Sequence, residues 1–82
     1  MRQSRDGGFV IRNGNFYLRG IPRQVTPRAL RQGLTADLEE AKIWKTPRGA
    51  RRARREAGMG GDILLVKIED GRRALFGRLA KE

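Results

Sequence analysis

The sequence has no cysteine and no histidine, and these two absences exclude several kinds of functional site. Without cysteine, the chain can form neither a disulfide framework nor a cysteine-rich zinc site. Without histidine, it has no serine–histidine or cysteine–histidine nucleophile and no histidine acid–base catalyst. We therefore predict a protein that is not an enzyme, with no catalytic residues, no metal site and no cofactor. The lack of cysteine is also compatible with a cytoplasmic location.

Long hydrophobic runs are missing as well. No stretch approaches the roughly 20 apolar residues that span a bilayer, and residues 1–6 lead into no apolar signal segment. We expect no membrane partner. At 82 residues the chain has room for one small domain, which we place at residues 9–80 after a flexible N-terminus at residues 1–8.

Basic residues are abundant, and most of them are arginine. Lys and Arg total 19 against nine Asp and Glu, which gives a formal net charge of +10, and 15 of the 19 are arginine. The guanidinium is a planar fork that binds phosphates and carboxylates, so this excess favours an anionic partner. The one acidic block contains Asp37, Glu39 and Glu40. We interpret it as the solvated start of a helix rather than a metal site.

The clearest local signal is Asn13-Gly14 between two β-rich runs, which predicts a hairpin with a two-residue loop. The predicted pairs are Arg12–Asn15, Ile11–Phe16, Val10–Tyr17 and Phe9–Leu18. This register places four apolar residues on one buried face: Phe9, Ile11, Phe16 and Leu18. The opposite face then presents Val10, Arg12, Asn15, Tyr17 and Arg19.

Two helices are predicted from the same N-terminal signal, a threonine cap followed by proline at the first helical position. The first begins after Thr26 and ends near Gly33. The second runs from Pro47 to about Ala57, with Gly58 as its stop. Between them, Thr35 caps a helical turn through residues 37–41, and residues 43–44 form a short strand or a connecting segment.

The second helix separates alanine from arginine. At 100° per residue, the alanines Ala50, Ala53 and Ala57 form one narrow stripe, which predicts a buried side. Arginines gather on the opposite side, namely Arg48, Arg51, Arg52 and Arg55, while Arg54 lies on a flank. Five arginines in eight residues exceed what solubility requires, so this helix is the main candidate for a binding site.

The C-terminal part predicts a second hairpin. Residues 63–68 form the best candidate for a buried strand, and Asp70-Gly71 predicts a tight turn. The predicted pairs are Glu69–Arg72, Val66–Leu75 and Leu65–Phe76. A helix at residues 74–80 is the alternative. The predicted fold is therefore α+β: a small antiparallel or mixed sheet built on the N-terminal hairpin, packed against the arginine-rich helix and short helical turns.

The N-terminal hairpin offers a second basic surface around Tyr17. With Arg12 and Arg19 beside it, Tyr17 could stack on a base while the arginines contact phosphates. The alternative, which we favour, is that Tyr17 packs under the helical connection. Trp44 is interpreted as an anchor in the core or at the sheet edge, although Lys42 and Lys45 beside it leave an exposed binding role open.

The order of these segments resembles that of small phage and prophage proteins. The similar segments are residues 9–14, 16–18, 35–44 and 46–53, followed by a hydrophobic strand, while residues 21–33 depart from the pattern. The resemblance implies a non-enzymatic accessory protein of a mobile element, such as an anti-CRISPR or another counter-defence inhibitor.

Two functional hypotheses follow, of which we favour the first and keep the second as the alternative. In the first, the arginine helix docks onto an acidic surface of a nucleic-acid-handling complex and inhibits it. In the second, a DNA- or RNA-binding module uses the same arginines to contact phosphates. Both use the same residues: Arg48, Arg51, Arg52, Arg54, Arg55, Arg12, Arg19 and Tyr17. We also expect that a homodimer could pair through an exposed strand edge at residues 63–68.

Overall fold

The computed structural model describes residues 7–21, 23–24, 26–58 and 60–79. Within these residues, five strands form one antiparallel sheet in the order β3-β2-β1-β4-β5. The strands are β1 (Gly8–Asn13), β2 (Phe16–Leu18), β3 (Leu34–Thr35), β4 (Asp62–Glu69) and β5 (Arg72–Arg78). The helices are α1 (Pro27–Gln32) and α2 (Pro47–Ala57), and a 3₁₀ turn covers Leu38–Glu40. The α+β prediction is confirmed.

The domain limits can be compared with the prediction only in part. Strand β1 begins at Gly8, one residue before the predicted start of the domain. The predicted flexible segment otherwise falls mainly on residues 1–6, which lie outside the described residues, as does Ala80. In the described part of the chain, no helix is both long and apolar enough to cross a bilayer.

The N-terminal hairpin forms, but its predicted register is wrong. Arg12 pairs with Tyr17 and Asn13 with Phe16, so the loop consists of Gly14 and Asn15. Gly14, with φ +64°, occupies the first loop position, where a type II′ turn takes glycine, and Asn15 does not have a positive φ. The error is two positions along β2. Because side chains alternate with a period of two, the even shift leaves each residue on its predicted face.

Both faces of the sheet are covered, and this changes the predicted core. On one face, which we call the helix face, the buried cluster contains Ile11, Leu18, Leu30, Ala50, Ala53, Ala57 and Ile63. The other face, which we call the connection face, buries Val10, Leu64 and Val66 under the segment between the two helices, which contributes Ala41 to the same cluster. Val10 was predicted on an open face but is fully buried. Phe16 was predicted in the core but is 46% exposed.

The connection between the helices is held by side chains that cap its turns. Asp37, not Thr35 as predicted, is the N-cap of the 3₁₀ turn, and its carboxylate accepts the Glu39 backbone N–H at 2.9 Å. Thr35 lies in β3, where its hydroxyl accepts the Asp37 N–H and donates to Glu40. Trp44 exchanges two backbone hydrogen bonds of 2.8 Å with Phe9 and packs against the helix-face cluster. This agrees with the interpretation of Trp44 as an anchor in the core or at the sheet edge.

The C-terminal hairpin is confirmed as a strand pair. Asp70 and Gly71 both have positive φ, as a type I′ turn requires, and the pairs Glu69–Arg72 and Val66–Leu75 are observed. The predicted pair Leu65–Phe76 is wrong because an irregularity between Leu65 and Val66 shifts the register, and Leu65 pairs with Gly77. Residues 74–78 are strand, so the alternative C-terminal helix is wrong.

β4 is not the edge strand that the sequence predicted. It hydrogen-bonds to β1 through residues 62–66 and to β5 on its other side, so the prediction of an edge strand there is wrong for residues 63–66. Among the described residues, Lys67 and Ile68 pair with β5 alone, and the homodimer itself stays a prediction. The exposed strand edge on this side of the sheet belongs to β5.

Candidate anion-binding site

Helix α2 is defined at both ends by the residues that the sequence predicted. The Thr46 hydroxyl accepts the Gly49 backbone N–H at 3.0 Å, and Pro47 follows the cap. At the other end Gly58 adopts a left-handed conformation with φ +69°, and its N–H donates to the Arg54 carbonyl. These two caps fix the helix at Pro47–Ala57 and set the rotation at which its side chains emerge.

The alanine stripe holds α2 against the sheet. Ala50, Ala53 and Ala57 are all buried in the cluster that includes Ile11 of β1 and Ile63 of β4. Small side chains allow the helix to approach the strands closely, and their burial leaves the opposite side of α2 directed away from the sheet. The predicted orientation of the helix is confirmed.

Four arginines line an open groove of about 500 Å³ on the exposed side of α2. We call this set the arginine face: Arg48, Arg51, Arg52 and Arg55. Their spacing of i, i+3, i+4 and i+7 places them along one side of the helix. The structure therefore brings together the four residues that the sequence predicted on one side, and it leaves Arg54 outside the groove, as expected.

The partners of these arginines determine how much of the positive charge is available. Arg52 Nε lies 3.5 Å from Glu56 Oε2, in a pair whose side chains are 79% and 54% exposed. Arg54 donates from Nη1 to the Gly61 carbonyl at 3.2 Å. Among the described residues, Arg48 and Arg55 form no hydrogen bond or ion pair. An exposed pair such as Arg52–Glu56 is weak and exchanges easily for an external anion.

The hairpin residues do not join the arginine face. Tyr17 is half-buried and packs against the connection-face cluster, beside Leu38 and Ile43. This agrees with the favoured interpretation that Tyr17 packs under the helical connection. Arg12 pairs directly with Tyr17 in the sheet and so lies on the connection face, away from α2. Arg19 is exposed just after β2. The predicted second basic surface is therefore separated from the arginine face.

Sequence reasoning missed the two arginines of α1. Arg28 and Arg31 are exposed, whereas Leu30 between them is buried in the same cluster as the alanines of α2. Helix α1 therefore lies on the helix face together with α2. The signal was present, because α1 begins with the same Thr-Pro cap and separates one apolar residue from flanking arginines in the same way.

The acidic residues of the connection are engaged within the fold. Glu39 Oε2 accepts the backbone N–H of Arg73 at 2.8 Å, and Glu40 accepts the Thr35 hydroxyl at 2.8 Å. Asp37 caps the 3₁₀ turn. Across the described ranges, no three histidine, cysteine, aspartate or glutamate side chains come together as a metal ion would require. The acidic block thus holds the connection in place on the face opposite α2.

Comparisons with family models, curated proteins and solved structures found no match to this chain. The resemblance to phage proteins therefore stays a prediction. The interpretation of the site rests on its geometry and charge alone.

Proposed function

We propose that this protein is a non-catalytic binding protein that contacts the phosphates of a nucleic acid through the arginine face of α2. The observation that carries the proposal is the grouping of four guanidiniums around one groove on a helix whose other side is packed onto the sheet. A cytoplasmic location is part of the proposal.

The dimensions of the arginine face suit a phosphate backbone. Arg48 and Arg55 are seven residues apart, which at 1.5 Å per residue is roughly 10 Å along the helix. One strand of B-form DNA advances roughly 3.4 Å along the duplex axis per phosphate, and neighbouring phosphates lie farther apart than this along the strand itself, so the row reaches about two phosphates of one strand. Guanidinium forks bind phosphate oxygens through two parallel hydrogen bonds, and a row of them can follow one strand.

The composition of the site favours phosphate over protein. The alanines of α2 are buried against the sheet, and the groove is lined by arginine side chains, with no aromatic or aliphatic residue among them. Stable protein interfaces concentrate their binding energy in a desolvated core, rich in aromatic and apolar contacts, inside a polar rim. A surface of charge alone is typical of sequence-independent phosphate contact.

A second candidate function is docking onto an acidic protein surface as an inhibitor of a nucleic-acid-handling complex, in the manner of an anti-CRISPR protein. The observation that favours it is the groove itself, because a space between guanidiniums accommodates carboxylate side chains as well as phosphates. The phage origin implied by the sequence resemblance belongs to this candidate.

Binding to a labelled 24-base-pair DNA duplex, measured by fluorescence anisotropy over a series of salt concentrations, tests the proposal. Each phosphate contact adds about −0.9 to the slope of log K against log salt. The double variant R48A/R55A should therefore reduce the magnitude of the slope by about 1.8. The control R72A/R78A removes the same charge from the two ends of β5, where both side chains are exposed, and we expect it to retain most of the wild-type slope.

Equal losses in the two double variants would contradict the proposal, because binding would then follow net charge rather than the arginine face. A pull-down with and without nuclease separates the two candidates. A stoichiometric protein complex that survives nuclease and moderate salt would support the inhibitor, whereas bound material that disappears with nuclease supports direct nucleic-acid binding.

A further inference from the structure

Helix α1 adds a second row of arginines on the same side of the sheet. Leu30 is buried at 8% exposure in the cluster that also contains the alanines of α2. Arg28 and Arg31 are both exposed. At 100° per residue, each of them lies at least 100° around the helix from Leu30, so neither points into the core.

Hydrogen bonds cap both ends of this short helix, and one of them joins its C-terminal end to the segment after β2. The Thr26 hydroxyl accepts the Ala29 backbone N–H at 3.1 Å, and the Gly33 N–H donates to the carbonyls of Ala29 and Leu30. The Gly33 carbonyl in turn accepts the Arg19 N–H at 2.8 Å, which ties the end of α1 to the chain leaving β2. Arg28 and Arg31 are therefore presented by a supported element rather than by a loose loop.

The two helices together make the helix face strongly positive. They contain seven arginines and a single acidic residue, Glu56, which gives a net charge of +6. Among the described residues, neither Arg28 nor Arg31 forms a hydrogen bond or an ion pair. The acidic residues Asp37, Glu39 and Glu40 serve the connection on the opposite face.

We infer that Arg28 and Arg31 form a second phosphate-binding row beside the arginine face, and that the ligand of the combined surface is double-stranded DNA. This inference rests on the proposed function and extends it to α1 and to one class of nucleic acid. Two separate sets of arginines on the same side of the sheet can each contact one of the two strands of a duplex. A single strand offers only one such line.

Features of the helices favour B-form DNA over the other nucleic acids. Neither α1 nor α2 contains an aromatic residue, whereas proteins that bind single strands stack the bases on aromatic side chains. An α-helix with its side chains is about 10–12 Å wide and fits the major groove of B-form DNA, which is about 12 Å wide. The major groove of A-form RNA is deep and too narrow for side chains to read.

The inference is tested with the double variant R28Q/R31Q and three probes of one sequence: a 24-base-pair DNA duplex, its single strand and the corresponding RNA duplex. We expect the wild type to bind the DNA duplex most tightly. R28Q/R31Q should lower the magnitude of the salt slope on the DNA duplex by about 1.8, and should change single-strand affinity by less than about threefold. R72A/R78A is again the control with the same loss of charge.

The outcomes distinguish this inference from the proposed function. If R28Q/R31Q binds the DNA duplex like the control while R48A/R55A loses affinity, the second row is wrong and the function of α2 stands. If the wild type binds the single strand or the RNA duplex more tightly, the assignment to double-stranded DNA is wrong. If R48A/R55A has no effect, the proposed function itself fails.

Thermal unfolding of each variant verifies that it is folded. If R28Q/R31Q unfolds, R28K/R31K, which retains the charge, should restore most of the binding.

Discussion

The helix face and the connection face of the sheet both bury apolar residues, but they use arginine in opposite ways. On the helix face, Arg48 and Arg55 extend outward from α2 without a partner among the described residues. On the connection face, Arg73 turns inward with its side chain 21% exposed, and its Nη1 donates to the carbonyls of Leu38 at 2.8 Å and Ala41 at 2.6 Å.

The difference depends on the acceptors that each face provides. Two carbonyls at the end of the 3₁₀ turn accept from Arg73: that of Leu38, which also accepts the Ala41 N–H at 3.2 Å, and that of Ala41, while Glu39 accepts the Arg73 backbone N–H. On α2, the carbonyls are paired within the helix, and the one acidic residue is Glu56. The same residue type therefore stabilises the fold on one face and remains available to a ligand on the other.

The largest expected effect is on the free energy of unfolding. It compares the buried clusters of the helix face and the connection face by truncating one large residue of each to alanine. I11A removes a fully buried side chain beneath the capped helix α2, and we expect a loss of about 4 kcal/mol in the free energy of unfolding. L64A, under the short connection, should cost about 2–3 kcal/mol because the connection can move into the cavity more readily than a regular helix. Urea denaturation measures both values.

If L64A costs as much as I11A or more, the connection face is the more rigid of the two, and the helix face would not be the principal core. The comparison requires that both variants have the same m-value, which is the slope of the free energy of unfolding against urea concentration. A change in this slope indicates an altered denatured state rather than a lost contact.

The next largest effect separates the structural role of Arg73 from the proposed binding role of Arg48. R73A leaves the Ala41 carbonyl without its side-chain donor and the Leu38 carbonyl with the Ala41 N–H alone. It should lower the free energy of unfolding by about 1–3 kcal/mol, with little change in duplex affinity. R48A should do the reverse, with a stability change within about 0.5 kcal/mol and a measurable loss of affinity. Denaturation and anisotropy on both variants provide the comparison, and a stability loss in R48A equal to that in R73A would contradict it.

The smallest expected effect concerns Glu56, the one acidic residue of helices α1 and α2. E56Q removes the exposed partner of Arg52, and its effect on stability should stay within about 0.5 kcal/mol. Affinity for the duplex should rise by about twofold, because a negative charge next to the arginine face is lost. An anisotropy titration at fixed low salt measures this change, and weaker binding by E56Q would mean that Glu56 positions Arg52 for contact.

Much of the fold could be predicted because its signals are local. Thr46 and Gly58 define α2 through hydrogen bonds that span a few residues, and Asp70-Gly71 defines a turn through its own positive φ angles. The register of the first hairpin was predicted wrongly, because Asn13-Gly14 and Gly14-Asn15 are both adequate loops. The difference between them is decided by pairing along the whole strand and not by the loop alone.

The amino-acid order by itself determined the helix ends, the separation of alanine from arginine on α2 and the side of the sheet to which each hairpin residue points, since these follow from periodicity and from contacts within a few residues. Only the tertiary structure decided that a second layer buries Val10, that Arg73 is a structural residue, and that α1 lies on the same face as α2. These outcomes depend on contacts between segments far apart in the chain, such as Arg73 with Leu38, and no local pattern encodes which distant surface a segment will cover.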